Sequence, residues 1–445
     1  MLVNTKLHKL LIKYFLFSLF LTAIIYLYNL VINVQETNYF YCDEVINYQA
    51  KFFNNVFNFN YIFSCDEPKY FYILDNPHDL LNGQKNYYQQ RPIYISFAII
   101  IKYLIAAVTN IFDIYFPFIN QLSFLILQNL ILTFQMIFLR FIMQNFNKEI
   151  YYNDFFISLI IFFNPMNKWS IFQPGHQNMT TLIFLIGVWI FQKNTYLSKP
   201  KLIILGLLFL THRSSILLLI ILLLKDFNLK KINKKHLTKS LTNSFIFFSP
   251  YFLFRLLTFI SGNSSNDNQI EEYNQFFWLF DFFLGKETIY SGINNGWFCQ
   301  KVPHFIYCYL IDNLKTLFYM SGLILILFIL KYYSSSVQLK SQKMYPMYFT
   351  FGLFFLFWMI IGWYPPIRFS FYSFGNFLLV LYSLLLFSHT EFKIRVVILL
   401  PYVFYFLPLN HWNSPSGVDL AISEILAYLT TLFLMTLNLS RSRNS

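Results

Sequence analysis

The acidic pair Asp43-Glu44 opens a long polar stretch after the apolar run at residues 10–32. A carboxylate at a membrane edge can accept the proton of an attacking hydroxyl group or bind a divalent metal ion. A short acidic pair after a membrane span also simply marks the non-cytoplasmic side, and position alone favours this second interpretation. The pair Asp66-Glu67 repeats the motif and competes for the chemical role.

Three arginines, Arg91, Arg213 and Arg368, lie at the start or in the middle of apolar segments. Arginine binds phosphate through the planar set of donors on its guanidinium group. Arg91 is equally well explained as an interfacial residue that extends its charge to water, and Arg368 as a topological anchor. Arg213 follows His212 in the middle of an apolar segment, and a charged residue in that setting favours a functional role.

The composition identifies the class of protein. The chain has 445 residues, of which 57% are hydrophobic and 12% are charged, and its mean hydropathy is +0.49. A soluble protein carries about twice that charged fraction, and several apolar runs approach the roughly 20 residues that cross a bilayer. The sequence therefore predicts an all-α, polytopic integral membrane protein and excludes a soluble core.

Charge patterning predicts how the chain crosses the membrane. Two apolar segments are ambiguous, because 92–112 carries Lys102 near its middle and 202–224 carries the polar run at 211–215. A cation at mid-bilayer is costly. We therefore expect 92–112 to lie in or re-enter the outer interface, and 202–224 to form two short helices that meet at an outer turn. This assignment predicts about twelve transmembrane helices, from the segments at 10–32, 118–139, 155–171, 179–191, 202–224, 245–260, 305–330, 345–363, 369–387, 396–407 and 418–437.

The net charge of +13 is concentrated in the segments predicted to lie on the cytoplasmic side of the membrane, so it does not indicate nucleic-acid binding. The predicted cytoplasmic pieces, which include a lysine-rich loop at 225–239, carry the positive charge, as the positive-inside rule requires. Both termini are then cytoplasmic. We expect one polytopic domain over 1–445, with a first extracytoplasmic loop at 34–117 that contains interfacial helices and a second at 261–304.

All four cysteines, Cys42, Cys65, Cys299 and Cys308, fall on the extracytoplasmic side in this topology. Disulfides form in the periplasm and in the lumen of the endoplasmic reticulum, and four cysteines allow three pairings. The pairs Cys42–Cys65 and Cys299–Cys308 are the sequence-local possibility, and four free thiols are an equally good alternative.

The arginines and the carboxylate pair together suit one substrate type, a lipid-linked phosphate whose sugar is transferred outside the cytoplasm. No ATP is available there, so a polyprenyl-phosphate sugar would supply the energy. Arginines would neutralise the leaving phosphate, and a carboxylate would deprotonate the acceptor hydroxyl group. A polar turn that contains His176 and Gln177 can hydrogen-bond a sugar, although a lone histidine at such a turn more often caps the next helix.

The order of these motifs resembles the GT-C superfamily of membrane glycosyltransferases, especially its bacterial protein O-mannosyltransferase and aminoarabinose-transferase branch. That family has one span and then a large outer loop that opens with an acidic motif, as at Cys42-Asp43-Glu44. A proline- and tyrosine-containing stretch follows, similar to Arg91-Pro92-Ile93-Tyr94. A short helix rich in glycine and leucine then runs into a basic turn, similar to 206–213, and an Arg-Tyr motif opens a late span, resembled by Arg368-Phe369. The turn at His176-Gln177-Asn178 departs from the acidic residue of this branch and is similar to mannose-using relatives.

The resemblance implies a role for each matched residue. Asp43 would be the general base, with Glu44 as an auxiliary group or metal ligand, and Arg213 and Arg368 would contact phosphate. The substrate-binding candidates are Arg91, His176, Gln177, His212, Arg213 and Arg368. The one cofactor that this assignment leaves open is a divalent metal ion, which Glu44 would bind. The expected partners are a polyprenyl-phosphate sugar donor, membrane lipids and a lipid, glycan or protein acceptor, and the expected location is a bacterial inner membrane.

Two other functions fit parts of the sequence. A polysaccharide polymerase or ligase would show a late outer loop rich in arginine and histidine, whereas 261–304 contains no arginine and one histidine. A lipid-linked-sugar transporter or flippase would show internal repeats and ionisable residues along a central path. Neither feature is visible, so glycosyl transfer is the preferred hypothesis.

Overall fold

The computed structural model describes residues 2–32, 67–82, 91–114, 119–146, 153–164, 177–193, 198–226, 234–261, 341–360, 375–388 and 392–406, with the single residues 167, 171, 373 and 431. No β-strand occurs among these residues, so the predicted all-α class is confirmed for this part of the chain. Its α-helices are α1 (Leu2–Ile32), α2 (Glu67–Asp75), α3 (Asp79–Asn82), α4 (Pro92–Ile111), α5 (Ile119–Phe146), α6 (Asp154–Phe162), α7 (Met179–Gln192), α8 (Lys199–Phe209), α9 (Ile216–Asp226), α10 (Lys234–Ile260), α11 (Ser341–Ile360), α12 (Asn376–Ser388) and α13 (Phe392–Phe406).

Four of the described helices are long and apolar enough to cross a membrane. These segments are Leu7–Ile24 in α1, Pro92–Ile111 (α4), Ile119–Phe146 (α5) and Leu237–Ile260 in α10. Three shorter apolar helices are Met179–Gln192, Met344–Trp358 and Asn376–Phe387. The helices are thus consistent with an integral membrane protein, and the total of about twelve spans remains a prediction.

Some predicted boundaries are wrong. Helix α6 ends at Phe162, well short of the predicted limit at residue 171. Helix α10 begins at Lys234 inside the lysine-rich segment predicted as a loop, because lysine and leucine are good helix formers that extend the apolar helix. Helix α13 likewise begins at Phe392, before the predicted start of that segment at residue 396. The predicted spans at 305–330 and 418–437 lie outside the described residues, apart from Thr431.

The first of two compact units comprises residues 1–137, 167–183 and 195–265. Inside it α8 and α10 approach so closely that a Cβ atom on Gly206 would lie 2.0 Å from the carbonyl oxygen of Phe247. Small residues allow such close approach of helix backbones in membranes. The ring of Phe209 then packs against the rings of Phe248 and Tyr251, with each pair of centroids 5.5 Å apart. These contacts hold the end of α8 against α10.

Helix α10 continues through Pro250 without ending. Proline lacks the N–H group that would bond to the carbonyl oxygen four residues earlier, which here belongs to Ile246. The hydroxyl group of Ser249 donates to that oxygen instead, at 2.8 Å. Such replacement bonds are what allow proline inside membrane helices, so α10 extends as one helix to Ile260.

Helix α4 has clear signals at both ends. Pro92 occupies its first turn, where no backbone N–H group is needed. At the other end Asp113 has a φ angle of 50°, and the amide of Ile114 donates to the carbonyl oxygen of Thr109 at 2.9 Å. This is the Schellman arrangement that ends many helices. Helix α4 is therefore one uninterrupted helix.

The second compact unit comprises residues 138–166, 184–194 and 266–445. The guanidinium group of Arg140 donates to the carboxylate of Asp154 and joins the end of α5 to the start of α6. The hydroxyl group of Tyr382 in α12 donates to the carbonyl oxygen of Ile398 in α13. The candidate site residues that the structure describes all lie in the first unit.

Candidate functional site

The polar break between α8 and α9 is present in the structure. Helix α8 ends at Phe209, and His212 is extended (φ −156°, ψ 129°) before a 3-10 turn at Arg213–Ser215. The imidazole of His212 caps this turn, because its Nδ1 atom accepts from the amide of Ser214 at 3.3 Å and lies 2.8 Å from Ser214 Oγ. The expectation of two short helices that meet at a polar turn is confirmed.

Aromatic rings surround Arg213 at this turn. Its Cζ atom lies 5.6 Å from the ring centroid of Phe209 and 5.9 Å from that of Tyr251, within the range of cation–π attraction. His212 is only 5% exposed, and the Oγ atom of the fully buried Ser215 has no hydrogen-bond partner among the described residues. Polar groups are costly to bury without partners, so this turn has the character of a ligand site.

A buried hydrogen-bond chain begins near Arg91, the N-cap residue of α4, which is 8% exposed. The hydroxyl group of Tyr94, one helical turn later, accepts from Nε2 of Gln128 at 2.9 Å. Oε1 of Gln128 accepts in turn from Nδ2 of Asn178. Because Gln177 directly precedes Asn178, this chain connects the neighbourhoods of two predicted site residues, Arg91 and Gln177.

The chain of amides continues beyond Asn178. Nε2 of Gln135 donates to the backbone carbonyl oxygen of Asn178 at 2.8 Å and to Oδ1 of Asn167 at 3.0 Å, and Asn167 returns a bond of 2.5 Å. Gln177 Oε1 and Asn178 Oδ1 are buried without a hydrogen-bond partner among the described residues. Buried polar atoms are normally paired, so these two oxygens are available acceptors for a hydroxyl group.

A second polar centre forms around Asp75 at the end of α2. Nζ of Lys102 donates to Asp75 Oδ1 at 2.5 Å and to the carbonyl oxygen of Leu74 at 2.9 Å. Nδ2 of Asn120 lies 3.1 Å and 3.3 Å from the two carboxylate oxygens of Asp75. This carboxylate therefore joins α2, α4 and α5, and it neutralises the lysine in the middle of α4.

Helix α2 contains a tyrosine with a raised pKa, which contacts Asp79 at the start of α3. The hydroxyl group of Tyr72 donates to Oδ2 of Asp79 at 2.8 Å. This hydrogen bond, and then the negative charge of Asp79, raise the pKa of Tyr72 because both disfavour the phenolate. His78 Nε2 lies 3.1 Å from Asp79 Oδ1. Even so, the described part of the chain holds no group of three acidic, histidine or cysteine residues that could bind a metal ion.

Several candidate residues lie outside the described part of the chain. They are the predicted catalytic pair Asp43 and Glu44, the predicted contacts His176 and Arg368, and the four cysteines Cys42, Cys65, Cys299 and Cys308. The structure does describe Arg91, Gln177, His212 and Arg213, all in the first unit. It connects the surroundings of the first two by hydrogen bonds and places the last two at the α8–α9 turn.

Sequence reasoning overlooked the polar face of α5. Gln121, Gln128 and Gln135 recur at intervals of seven residues in an apolar helix, which places them on one face. The regular spacing was a usable signal. Lys102 was noticed because it interrupts an apolar run, whereas its partner Asp75 lies in a polar stretch and was overlooked. The contact between the two residues depends on how α2 and α4 pack.

Comparisons of the chain with protein-family models, curated proteins and solved structures found no match. The chemistry open to the described residues is therefore what bears on function. A half-buried arginine can bind an anion, the buried amides can bind hydroxyl groups, and a carboxylate can accept a proton.

Proposed function

We propose that this protein is a glycosyltransferase of the GT-C type, which moves a sugar from a polyprenyl-phosphate-linked donor to an acceptor hydroxyl group at the extracytoplasmic membrane face. The observation that carries the proposal is the α8–α9 turn, where Arg213 is half-buried against two aromatic rings inside an apolar segment. A cation in such a segment is costly and marks a functional site by default. A guanidinium group there suits the phosphate of a lipid that stays in the membrane.

The contact between Lys102 and Asp75 supports an interfacial position for α4. Helix α2 belongs to the polar stretch after the first apolar segment, and this ion pair attaches it to the middle of α4. If α4 stood upright in a bilayer, its midpoint and both charged groups would lie in hydrocarbon, where each charge costs several kcal/mol. A helix along the surface leaves the half-exposed Asp75 in water, and this position agrees with an extracytoplasmic loop at 34–117.

The buried amides support a neutral, hydroxyl-rich ligand. Tyr94, Gln128 and Asn178 form a chain without formal charge, and Gln177 Oε1 and Asn178 Oδ1 remain available as acceptors. Carbonyl oxygens of amides accept hydrogen bonds from hydroxyl groups. A sugar beside this chain could satisfy both oxygens, whereas a phosphate would bring further acceptors and leave them unpaired.

In the proposed reaction an oxygen of the acceptor attacks the anomeric carbon of the donor sugar. The bond between this carbon and the phosphate oxygen breaks, and polyprenyl phosphate leaves with the electron pair. Asp43 takes the proton of the acceptor hydroxyl group, while Arg213 and Arg368 balance the charge on the departing phosphate. Glu44 would assist Asp43 or would hold a divalent metal ion.

The proposal includes a membrane setting. About twelve spans would place both termini in the cytoplasm and Asp43 with the α8–α9 turn on the extracytoplasmic side. The membrane would be a bacterial inner membrane, and the acceptor a lipid, a glycan or a protein. Arg91, His176 and His212 would line the substrate site.

Transfer of radiolabelled sugar by purified protein in nanodiscs tests the proposal, with synthetic polyprenyl-phosphate sugars as donors. The wild type should use at least one donor, and Asp43→Asn should lose about a hundredfold or more of the turnover while it still binds that donor. Asp66→Asn is the matched control and should retain turnover. Equal turnover by wild type and Asp43→Asn would remove Asp43 as the base, and no turnover of any donor by the wild type would overturn the proposal.

A further inference from the structure

Arg255 is a second arginine inside an apolar helix, within the candidate span Leu237–Ile260. Its Cζ atom lies 5.9 Å from the ring centroid of Tyr251. Among the described residues its guanidinium group makes no ion pair and no hydrogen bond. An arginine in a membrane segment usually has a partner or a ligand, so a partner for Arg255 has to come from elsewhere.

Arg213 approaches the same ring from the α8–α9 turn. Its Cζ atom is also 5.9 Å from the Tyr251 centroid, so the two guanidinium carbons are at most twice this distance apart. Two positive charges no more than twice 5.9 Å apart repel each other in a medium of low dielectric constant, and an anion bound near both reduces the repulsion. The C-terminal dipole of α10 does not explain Arg255, because the last turn of that helix holds no basic residue.

The surface around Arg255 favours a lipid over a free ion. Its neighbours on α10, Phe252, Leu253 and Leu256, are 53%, 58% and 53% exposed. They form an exposed apolar surface on α10 around Arg255. An isoprenoid chain can lie on such a surface while its phosphate contacts both guanidinium groups, whereas inorganic phosphate would gain nothing from it.

We infer that Arg213 and Arg255 form a two-arginine site around Tyr251 that binds the phosphate monoester of polyprenyl phosphate. This inference rests on the proposed function, and it assigns a new role to Arg255 in that reaction. The donor is a phosphodiester with one negative charge, whereas the leaving polyprenyl phosphate is a monoester with a charge near −2 at neutral pH. The second arginine therefore matches the charge that develops as the sugar–phosphate bond breaks, so it stabilises the transition state more than the bound donor.

Binding in nanodiscs of three lipids with the same isoprenoid chain tests this inference: undecaprenyl phosphate, its methyl diester and undecaprenol. Arg255→Gln should weaken binding of the monoester about tenfold or more, should weaken binding of the diester less, and should leave undecaprenol binding unchanged. Unchanged undecaprenol binding also shows that the variant is folded. Lys201→Gln, which removes one exposed charge from α8, is the matched control and should bind all three lipids as the wild type does.

Several results would overturn the inference. Wild-type affinity of Arg255→Gln for the monoester, or an equal loss for all three lipids, would remove the two-arginine site. Displacement of undecaprenyl phosphate by an equal concentration of inorganic phosphate would mean that the site binds free phosphate. If Arg255→Gln destabilises the protein, Arg255→Lys replaces it, because lysine keeps the positive charge. Arg255→Lys should lose less monoester affinity than Arg213→Gln does. An equal or larger loss would count against the site.

The same proteins separate this inference from the proposed function. A wild type that prefers the monoester through Arg255 but transfers no sugar would refute glycosyl transfer and support the site. If the wild type transfers sugar and Arg255→Gln transfers it equally well, glycosyl transfer is supported and the two-arginine site is refuted.

Discussion

The Nζ atom of Lys102 lies 2.5 Å from the Oδ1 atom of Asp75, and the lysine is the more buried partner. Its side chain is 17% exposed, whereas that of Asp75 is 56% exposed. The pair thus joins the middle of α4 to the end of α2 and leaves one face of the carboxylate open to water. The two residues should therefore respond differently to substitution.

Asp75→Asn should destabilise the protein more than Lys102→Met does. Removal of the carboxylate leaves a largely buried cation without its counter-charge, at a cost of about 2 kcal/mol. Removal of the lysine leaves a carboxylate that water can reach, at a cost of roughly 1 kcal/mol or less. Unfolding free energies from SDS titration of the single and double variants measure both effects, and a larger loss for Lys102→Met would contradict this account.

Gly206→Ala should separate α8 from α10. The added Cβ atom would lie 2.0 Å from the backbone oxygen of Phe247, which cannot rotate away, so the helices must move at a cost of about 1–3 kcal/mol. Gly352→Ala is a matched control, because a Cβ atom there meets nothing within 4 Å. It should be neutral or stabilising by up to about 1 kcal/mol. Thermal unfolding of the two variants compares them directly, and equal behaviour would refute the close α8–α10 contact.

Gln128→Leu should lower the free energy of unfolding more than the double variant, in which Tyr94 is also replaced. The single change leaves the Tyr94 hydroxyl group and the Asn178 amide without their buried partner, at about 1–2 kcal/mol. Addition of Tyr94→Phe removes one of the stranded groups and should restore part of that loss. The unfolding free energies of the wild type, the two single variants and the double variant form a cycle, and strictly additive losses would mean that this hydrogen bond is not formed.

Asp79→Ala should lower the pKa of Tyr72. The hydrogen bond to Asp79 and then its charge hold this pKa above the ordinary value. The stabilising contact is thus fully present below the ordinary tyrosine pKa and is lost as the pH rises through the raised value. Alkaline titration of tyrosinate absorbance, with and without Tyr72→Phe, isolates the Tyr72 signal. Asp113→Asn serves as the control, because it removes an exposed carboxylate and asparagine tolerates the positive φ angle at this position. An unchanged Tyr72 titration in Asp79→Ala would contradict the contact.

Local patterns were enough to predict some of these elements. The break between α8 and α9 follows from a polar run in the middle of an apolar segment, and the predicted segment 179–191 matches α7 (Met179–Gln192) closely. The start of α10 at Lys234 was not predicted, because charge was taken to mark a loop although lysine favours helix. Local pattern describes where helices can form, and charge alone is a weak guide to where they end.

The partners of polar residues could not be predicted, because they depend on packing between distant segments. Lys102 was recognised as unusual, but its partner Asp75 lies in another helix. The amides of Gln128 and Asn178 meet only because α5 and the start of α7 pack together. Arg255 was not singled out from the sequence, because its approach to the same Tyr251 ring as Arg213 depends on how the α8–α9 turn packs against α10.

The most direct test of glycosyl transfer follows both halves of the donor lipid after it meets the wild-type protein. Proteoliposomes would receive polyprenyl-phosphate sugars with separate labels on the sugar and on the lipid, together with a panel of lipid, glycan and peptide acceptors. Glycosyl transfer predicts that the sugar label leaves the lipid and that unglycosylated polyprenyl phosphate accumulates in equal amount. A donor that stays intact, whether it changes leaflet or does not move, would contradict the proposed function, and movement between leaflets would identify a flippase instead.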